Sequence, residues 1–234
     1  MKYFFLIVSF LLLTACTKQS SYNGKEFSYN PSGKLVPSKS GKGRKGDNYI
    51  YAPGIRFPIE SAPAYLNSQL YGVGGYLGAK GSLCDKRNYS YPWSDNYCEK
   101  RRYKMPLCSG GHGHQGVDIR TATCEKRKYY AVAVERGVIT SIGSYTVKLR
   151  GKSGRTYRYL HLDSRSLKVR TGQKVRRGQR IGLVSNNMGK TPTSIHLHFD
   201  MKQTIKVGNR SKSVFVPPYS SLVDAYKRLL DGHP

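Results

Sequence analysis

Acidic residues are scarce in this sequence. The 234 residues include 13 Asp and Glu against 40 Lys and Arg, which gives a formal net charge of +27 at pH 7. Such a one-sided charge creates a strong positive field and favours an anionic partner, which could be nucleic acid, acidic lipid or a wall polymer. Hydrophobic residues make up 38% of the chain, enough for one core but not for a bundle of membrane helices. Charge alone does not choose among these partners, so the location of the protein must decide.

The sequence also lacks an apolar run long enough to span a bilayer comfortably. The run at residues 3–15 follows Lys2 and predicts a signal peptide over residues 1–15, with an uncleaved membrane anchor as the alternative. It ends in Leu13-Thr14-Ala15-Cys16, which resembles the bacterial lipobox, whose cysteine is lipidated and becomes the new N-terminus. The resemblance implies membrane anchoring through Cys16. We therefore expect a lipid-anchored protein of the cell envelope, at the periplasmic face of the outer membrane.

No C-x-x-C pair occurs in the sequence, which argues against a Cys-rich metal site. If Cys16 carries lipid, an even number of cysteines remains: Cys84, Cys98, Cys108 and Cys124. In an exported protein this number predicts two disulfides. Four cysteines allow three pairings, of which we favour the local one, Cys84–Cys98 with Cys108–Cys124.

Composition divides the chain after the signal peptide. Residues 16–48 carry Ser, Gly, Asn, Pro and Lys with almost no aliphatic side chains, and they predict a flexible basic tether without a core. Residues 49–234 are predicted to form the folded domain, with irregular strands and loops up to residue 107. The stretch at residues 81–108 carries three of the four cysteines.

From residue 129 onward the pattern is typical of β-strands. Alternation predicts strands at residues 129–134, 138–142, 145–150, 155–162 and 195–201, with Gly-bearing turns between them. The pattern favours an antiparallel all-β domain. Ser221-Leu-Val-Asp224 is a capping-box pattern that predicts a short C-terminal helix, which Gly232 ends.

Two pairs of residues are candidates for a metal site. His196 and His198 point to one face of a strand, because side chains two apart share a face. His114 and Asp118 can converge if the loop that carries His114 runs into a strand. Taken singly, each pair could instead be exposed on a sheet or loop. Together, two histidines and a carboxylate suit Zn²⁺ and leave a fourth position for water.

A fifth candidate is His161, at the end of a predicted strand. The alternation places it on the same face as Tyr157 and Tyr159, where it could border a substrate groove or pack as a structural histidine. Histidines beside an open zinc site can move protons or stabilise an oxyanion, so these residues together are equipped to hydrolyse an amide bond.

Three motifs carry a family resemblance: His114-x-x-x-Asp118, Tyr159-Leu-His161-Leu and His196-Leu-His198-Phe. In content and order they resemble the lysostaphin-type, LytM-like zinc endopeptidases, over about residues 108–201. Compared with that family, the cysteine-bearing stretch at residues 81–108 looks like an insertion, which could shape or cover the substrate groove. The resemblance implies an antiparallel β fold, Zn²⁺ held by His114, Asp118 and His198, and catalytic histidines His161 and His196. It favours His196 as the general base and His161 at the oxyanion. The implied substrate is peptidoglycan, cut in its peptide part, and we expect a D,D cross-link.

Two other functions were weighed against this one. Some LytM-like lipoproteins are catalytically silent and activate a cell-wall amidase by binding it, but they have usually lost zinc ligands, and all five positions are intact here. A nucleic-acid partner is not expected, because the lipobox and the predicted disulfides place the chain outside the cytosol. One structural hypothesis follows from the favoured pairing: a Cys108–Cys124 bridge would bracket His114 and Asp118 and rigidify the metal loop.

Overall fold

The computed structural model describes residues 21–22 and 25–234. The predicted signal peptide and Cys16 lie outside the described residues. Among the residues described, no helix has the length and apolarity needed to cross a bilayer. The strands are β1 Ser21–Tyr22, β2 Lys25–Glu26, β3 Tyr65–Leu66, β4 Val117–Arg120, β5 Tyr130–Val132, β6 Gly137–Ile142, β7 Thr146–Gly151, β8 Thr156–Leu160, β9 Lys174–Val175, β10 Arg180–Leu183, β11 Leu197–Val207 and β12 Arg210–Val216; the α-helix is α1 Tyr219–Leu230.

Antiparallel pairing organises the domain, as the sequence predicts. The main sheet has the strand order β3-β4-β11-β8-β7-β6-β9, and β12 pairs with the outer half of β11. Strands β5 and β10 form a separate antiparallel pair, and β1 pairs with β2. The fold is therefore all-β with one short C-terminal helix and two disulfides.

Period-2 alternation determines which face of the main sheet is buried. Val147 and Leu149 of β7 and Tyr157 and Tyr159 of β8 are fully buried, while Lys148 between the first two is exposed. Because successive side chains of a strand point to opposite faces, one face packs on the core and the other stays open. The open face carries the functional site described below.

The predicted strand at residues 195–201 differs in its bounds. It begins at Leu197 and continues to Val207, turns at Gly208 with a φ of 60°, and returns as β12. The outer part of this hairpin has no alternation of buried apolar residues before Val214, so the sequence pattern does not predict the hairpin.

Helix α1 begins two residues before the predicted capping box. Ser221 lies inside the helix, is fully buried, and its hydroxyl accepts a hydrogen bond from the backbone N–H of Ala52 at 3.0 Å. The hydroxyl therefore serves a tertiary contact, and the capping-box prediction is wrong. The helix itself is confirmed, and it buries Leu222 and Tyr226 against the core.

The tether prediction is wrong for residues 27–48, which pack against the domain. Leu35 is 6% exposed, Phe27 lies edge-on to Trp93 with ring centroids 4.7 Å apart, and the N–H of Gly33 donates to the Asp95 carboxylate at 2.9 Å. The segment has no periodic apolar pattern, because single side chains enter separate recesses of the domain. The low hydrophobicity of this segment therefore gives no indication that it packs against the domain.

The favoured disulfide pairing is also wrong. The bridges are Cys84–Cys124 and Cys98–Cys108. Arg120 at the end of β4 donates a hydrogen bond to the carbonyl oxygen of Leu83 at 2.9 Å, which brings the neighbourhood of Cys84 beside that of Cys124. Long-range packing thus selects a pairing that spans 40 residues over the shorter one.

Candidate metal and catalytic site

His114, Asp118 and His198 meet on the open face of the main sheet. Asp118 of β4 and His198 of β11 are register partners, and His114 lies in the loop that enters β4. His114 Nε2 lies 2.9 Å from His198 Nδ1 and 3.3 Å from Asp118 Oδ1, and His198 Nδ1 lies 3.0 Å from Asp118 Oδ1. Ligands about 2.05 Å from a tetrahedral zinc ion lie roughly 3.3 Å apart. The three atoms therefore fit the spacing that a single zinc ion needs.

The residues before β4 fix the ring of His114. Its Nδ1 lies 2.9 Å from the carbonyl oxygen of Asn96, and its backbone exchanges hydrogen bonds with Glu99 O at 2.8 Å and Cys98 N at 3.1 Å. A carbonyl only accepts, so Nδ1 carries the proton and Nε2 presents a lone pair to the site. At Gly113 a Cβ would lie 2.8 Å from the Cα of Cys98, so this close approach requires glycine.

The Cys98–Cys108 bridge supports the segment that holds His114. The hypothesis that a Cys108–Cys124 bridge rigidifies the metal loop is therefore wrong. We expect Cys98→Ser with Cys108→Ser to lower the free energy of unfolding by about 2–3 kcal/mol and to weaken metal binding, because the backbone that holds His114 becomes freer. Denaturant unfolding and a competition assay with a zinc chelator measure the two effects. The matched control, Cys84→Ser with Cys124→Ser, should lose stability but keep its metal affinity. Equal metal affinities in both double variants would contradict this role for the bridge.

His198 is oriented from the opposite side. Its Nε2 lies 3.0 Å from the Asp200 carboxylate, which leaves Nδ1 directed at Asp118 and His114. Asp200 is fully buried and held by Arg158, whose guanidinium approaches its two oxygens at 2.6–3.0 Å. Burial works against a charge on His198, but its hydrogen bonds with Asp118 and Asp200 outweigh burial and raise its pKa to about 9.

The Asp118 carboxylate is fully buried and yet ionised. Burial works to raise its pKa, but the neighbouring His114 and His196 hold that pKa well below its ordinary value. Its backbone N–H donates to Asn96 Oδ1 at 3.1 Å, so Asn96 supports both Asp118 and His114. The site is therefore built to keep one negative charge among imidazoles, which is the electrostatic requirement for a divalent cation.

His196 and His161 stand on the other side of these three residues. His196 Nδ1 lies 2.9 Å from the carbonyl oxygen of Ser194, and its Nε2 lies 3.5 Å from Asp118 Oδ1. His161 Nδ1 lies 2.8 Å from the carbonyl oxygen of Asn187, and its ring centroid is 4.6 Å from that of His196. The rings of His161 and His196 each donate a hydrogen bond from Nδ1 to a backbone carbonyl oxygen, so Nε2 of each ring carries a lone pair.

The structure corrects the strand face predicted for His161. Tyr157 and Tyr159 point into the core, and the hydroxyl of Tyr159 accepts from the N–H of Val134 at 3.0 Å. His161 follows β8 with a φ of 67°, a left-handed conformation that turns its side chain out of the strand alternation toward the open face. Burial and the nearby His196 lower its pKa to about 3, so the ring is neutral.

All five predicted residues line one cleft of about 370 Å³ on the open face. Tyr145 lies parallel to the His161 ring at 5.9 Å, and Arg101 and Tyr103 bring the 81–108 insertion to the cleft wall. The insertion therefore shapes the groove. His112 is exposed and outside the cleft, as a solvated loop histidine would be.

Sequence reasoning missed the residues that orient the histidines. Asn96 and Asn187 act through backbone carbonyls, which no residue pattern reveals. Arg158 had a usable signal, because it alternates with the core-facing Tyr157 and Tyr159 and so lies on the open face. Its partner Asp200 lies two residues after His198 and shares that face.

Comparisons with known proteins point to one family. Residues 112–212 match Peptidase family M23. The chain is 49% identical over 154 residues to the peptidoglycan DD-endopeptidase ShyA of Vibrio cholerae; the match covers 58% of this chain and 32% of ShyA, so the chain spans about a third of that relative's length.

Two solved structures are also similar. The catalytic domain of the antimicrobial peptidase lysostaphin from Staphylococcus simulans is 26% identical, with 50% of this chain and 89% of that chain covered and a TM-score of 0.35. A zinc-containing peptidase from Vibrio cholerae is 27% identical, with 49% of this chain and 33% of that chain covered and a TM-score of 0.30.

Proposed function

We propose that this chain, whose residues 112–212 match Peptidase family M23, is a zinc-dependent endopeptidase that hydrolyses peptide cross-links of peptidoglycan. The observation that carries the proposal is the convergence of His114, Asp118 and His198, whose ligand atoms all lie within 4.8 Å of one another. The identity to the DD-endopeptidase ShyA supports peptidoglycan as the substrate and a D,D bond as the point of cleavage.

The donor set suits zinc. Two imidazole nitrogens and one carboxylate oxygen are ligands that Zn²⁺ accepts, and the cleft leaves room for a fourth. When bound, zinc lowers the pKa of a water molecule and polarises a carbonyl group. The hydrogen bonds at His114 Nδ1 and His198 Nε2 hold both rings in the tautomer that ligation requires.

His196 is placed to act as the general base. Its Nε2 lone pair faces the ligand cluster, so it can accept the proton of an attacking water and return it to the departing amine as the C–N bond breaks. His161 presents a lone pair in the same way, because its Nδ1–H is committed to Asn187. It therefore stabilises an oxyanion only after it has gained a proton, and until then it too is a base.

Digestion of purified sacculi tests the proposal. The wild-type chain should convert cross-linked dimeric stem peptides to monomers, each cleavage adding one water and freeing a D-alanine carboxyl group, and a zinc chelator should stop the reaction. Mass analysis of the released fragments identifies the bond. Stimulation of an amidase with no cleavage by the chain itself would favour the silent-activator alternative.

A conservative change behind the metal site should separate metal binding from folding. We expect Asp200→Asn to lower zinc affinity by about 10- to 100-fold, because the amide no longer accepts the Arg158 and His198 hydrogen bonds as a charged group. Competition with a chromogenic chelator measures the affinity. Asp231→Asn, at an exposed position after α1, is the control and should leave it unchanged. Wild-type affinity in Asp200→Asn would contradict the assigned role.

We also propose that the chain is anchored to the membrane of the cell envelope through a lipid on Cys16. The support is the apolar run at residues 3–15, which ends in Leu13-Thr14-Ala15-Cys16. Metabolic labelling with a fatty acid should mark the wild type but not Cys16→Ala, and fractionation of the two membranes would show which one holds the labelled protein.

A further inference from the structure

Basic side chains lie in register across the open face of the main sheet. Register partners of antiparallel strands point to the same side, so the pairings define two rows. One row runs from Asp200 through Arg158 to Lys148. The other runs from Lys202 through Thr156, Arg150 and Val138 to Lys174. The first row extends from β11 to β7 and the second from β11 to β9, and together they place a cation on four of these five strands.

The second row ends in a shallow cleft of about 460 Å³ at the β6–β9 edge. Five exposed cations surround it, and its floor is made by glycine and valine residues; the cations are Arg136, Arg150, Lys152, Lys174 and Arg176. None of the five takes part in an ion pair found among residues 21–22 and 25–234.

One carboxylate, Glu135, lies near this edge, and its single negative charge can offset at most one of the five positive charges. Glu135 accepts hydrogen bonds from the Ser153 backbone at 2.6 Å, the Ser153 hydroxyl at 2.7 Å and the Tyr157 hydroxyl at 2.8 Å. Five like charges around an apolar floor repel one another and concentrate a positive potential in the cleft. An anion with several negative groups would relieve that repulsion.

This edge belongs to the same face as the catalytic cleft. Side chains two residues apart on a strand share a side, so those of His198, Asp200 and Lys202 all lie on the same side of β11. The second row begins at Lys202, which is four residues, or roughly 13 Å along the strand, from the metal ligand His198. Four strand spacings then separate β11 from β9, which is roughly 19 Å. An extended polymer strand could occupy both places at once.

We propose that Arg136, Arg150, Lys152, Lys174 and Arg176, here called the basic track, bind free carboxylates of the peptidoglycan strand whose cross-link lies in the catalytic cleft. The inference rests on the proposed function and extends it to a second contact with the same substrate. A flat acidic membrane is the other anionic surface available, but a membrane laid against the basic track would also cover the cleft, because both open on one face. The shared face therefore favours the polymer.

The test compares two triple variants that lose the same charge. Arg150→Gln, Lys174→Gln and Arg176→Gln together neutralise the basic track, whereas Lys206→Gln, Arg210→Gln and Lys212→Gln neutralise exposed positions at the tip of the β11–β12 hairpin. Binding to purified sacculi is measured with zinc removed by a chelator, so that no bond is cut. Cleavage is then measured with zinc on sacculi and on a short cross-linked peptide dimer that is too small to reach the basic track.

We expect the track variant to bind sacculi about tenfold more weakly than the wild type, because each exposed ion pair contributes only modestly to binding. Its KM for sacculi should rise similarly, with unchanged cleavage of the short dimer, and high salt should erase its difference from the wild type. The hairpin variant should behave as the wild type in both assays.

Wild-type binding of the track variant to sacculi would overturn the inference. If that variant also lost binding to vesicles of phosphatidylethanolamine and phosphatidylglycerol, the surface would be assigned to a membrane. Weaker sacculus binding by the track variant, with no cleavage by any protein, would support the binding surface and refute the proposed hydrolysis instead.

Discussion

His114→Ala should lower kcat/KM for cross-linked peptidoglycan by about 10³-fold or more. The change removes one of three metal ligands and leaves Asp118 and His198 unable to hold the ion in the same geometry. Loss of several kcal/mol of stabilisation from the bound metal corresponds to this factor, at about 1.4 kcal/mol for each tenfold change. Release of monomeric stem peptides from sacculi measures the rate, and the zinc content of the purified variant measures occupancy.

His112→Ala is the matched control for this variant. His112 lies two residues from His114 and is exposed, and its ring Nδ1 lies 3.1 Å from the Gly110 carbonyl oxygen. It should retain zinc and activity. If His114→Ala lost zinc but still cut sacculi at the wild-type rate, the assignment of the reaction to this site would be wrong.

Trp93→Ala should lower the free energy of unfolding by about 3–5 kcal/mol, the usual range for deleting a large buried aromatic side chain. Trp93 is fully buried, and its ring centroid lies 4.4 Å from that of Tyr226 in α1, 4.7 Å from Phe27 and 5.7 Å from Phe57. Its indole N–H also donates to the Ala64 carbonyl at 2.8 Å, so the substitution leaves a buried acceptor without its donor.

The same substitution should release the N-terminal segment. Phe27 rests on Trp93 and Tyr226, so protease cleavage within residues 27–48 should become faster than in the wild type. Denaturant unfolding monitored by circular dichroism gives the stability, and limited proteolysis with mass analysis gives the cleavage sites. Tyr76→Ala, at a side chain that is 91% exposed, is the control and should change neither. A loss below about 1 kcal/mol in Trp93→Ala would mean that this aromatic cluster does not attach the segment.

Much of the site could be predicted because the patterns that indicate its residues lie within short stretches of the sequence. His196 and His198 share a strand face through a two-residue period, and Asp118 is flanked by the buried Val117 and Ile119. The motif order then indicated which distant residues belong together. The failure at His161 has a local cause too, because one left-handed residue at the end of β8 breaks the alternation on which the prediction depended.

The sequence by itself determined the β alternation and the chemical types of the five site residues. These follow from side-chain size, polarity and a repeat of two, which act over a few neighbouring positions. Only the tertiary structure decided the Cys84–Cys124 and Cys98–Cys108 pairing, the burial of Leu35 and the placing of Asn96 behind His114. Each of these depends on which remote backbone segments come within a few ångströms, a property of the whole chain's packing that no short stretch of residues encodes.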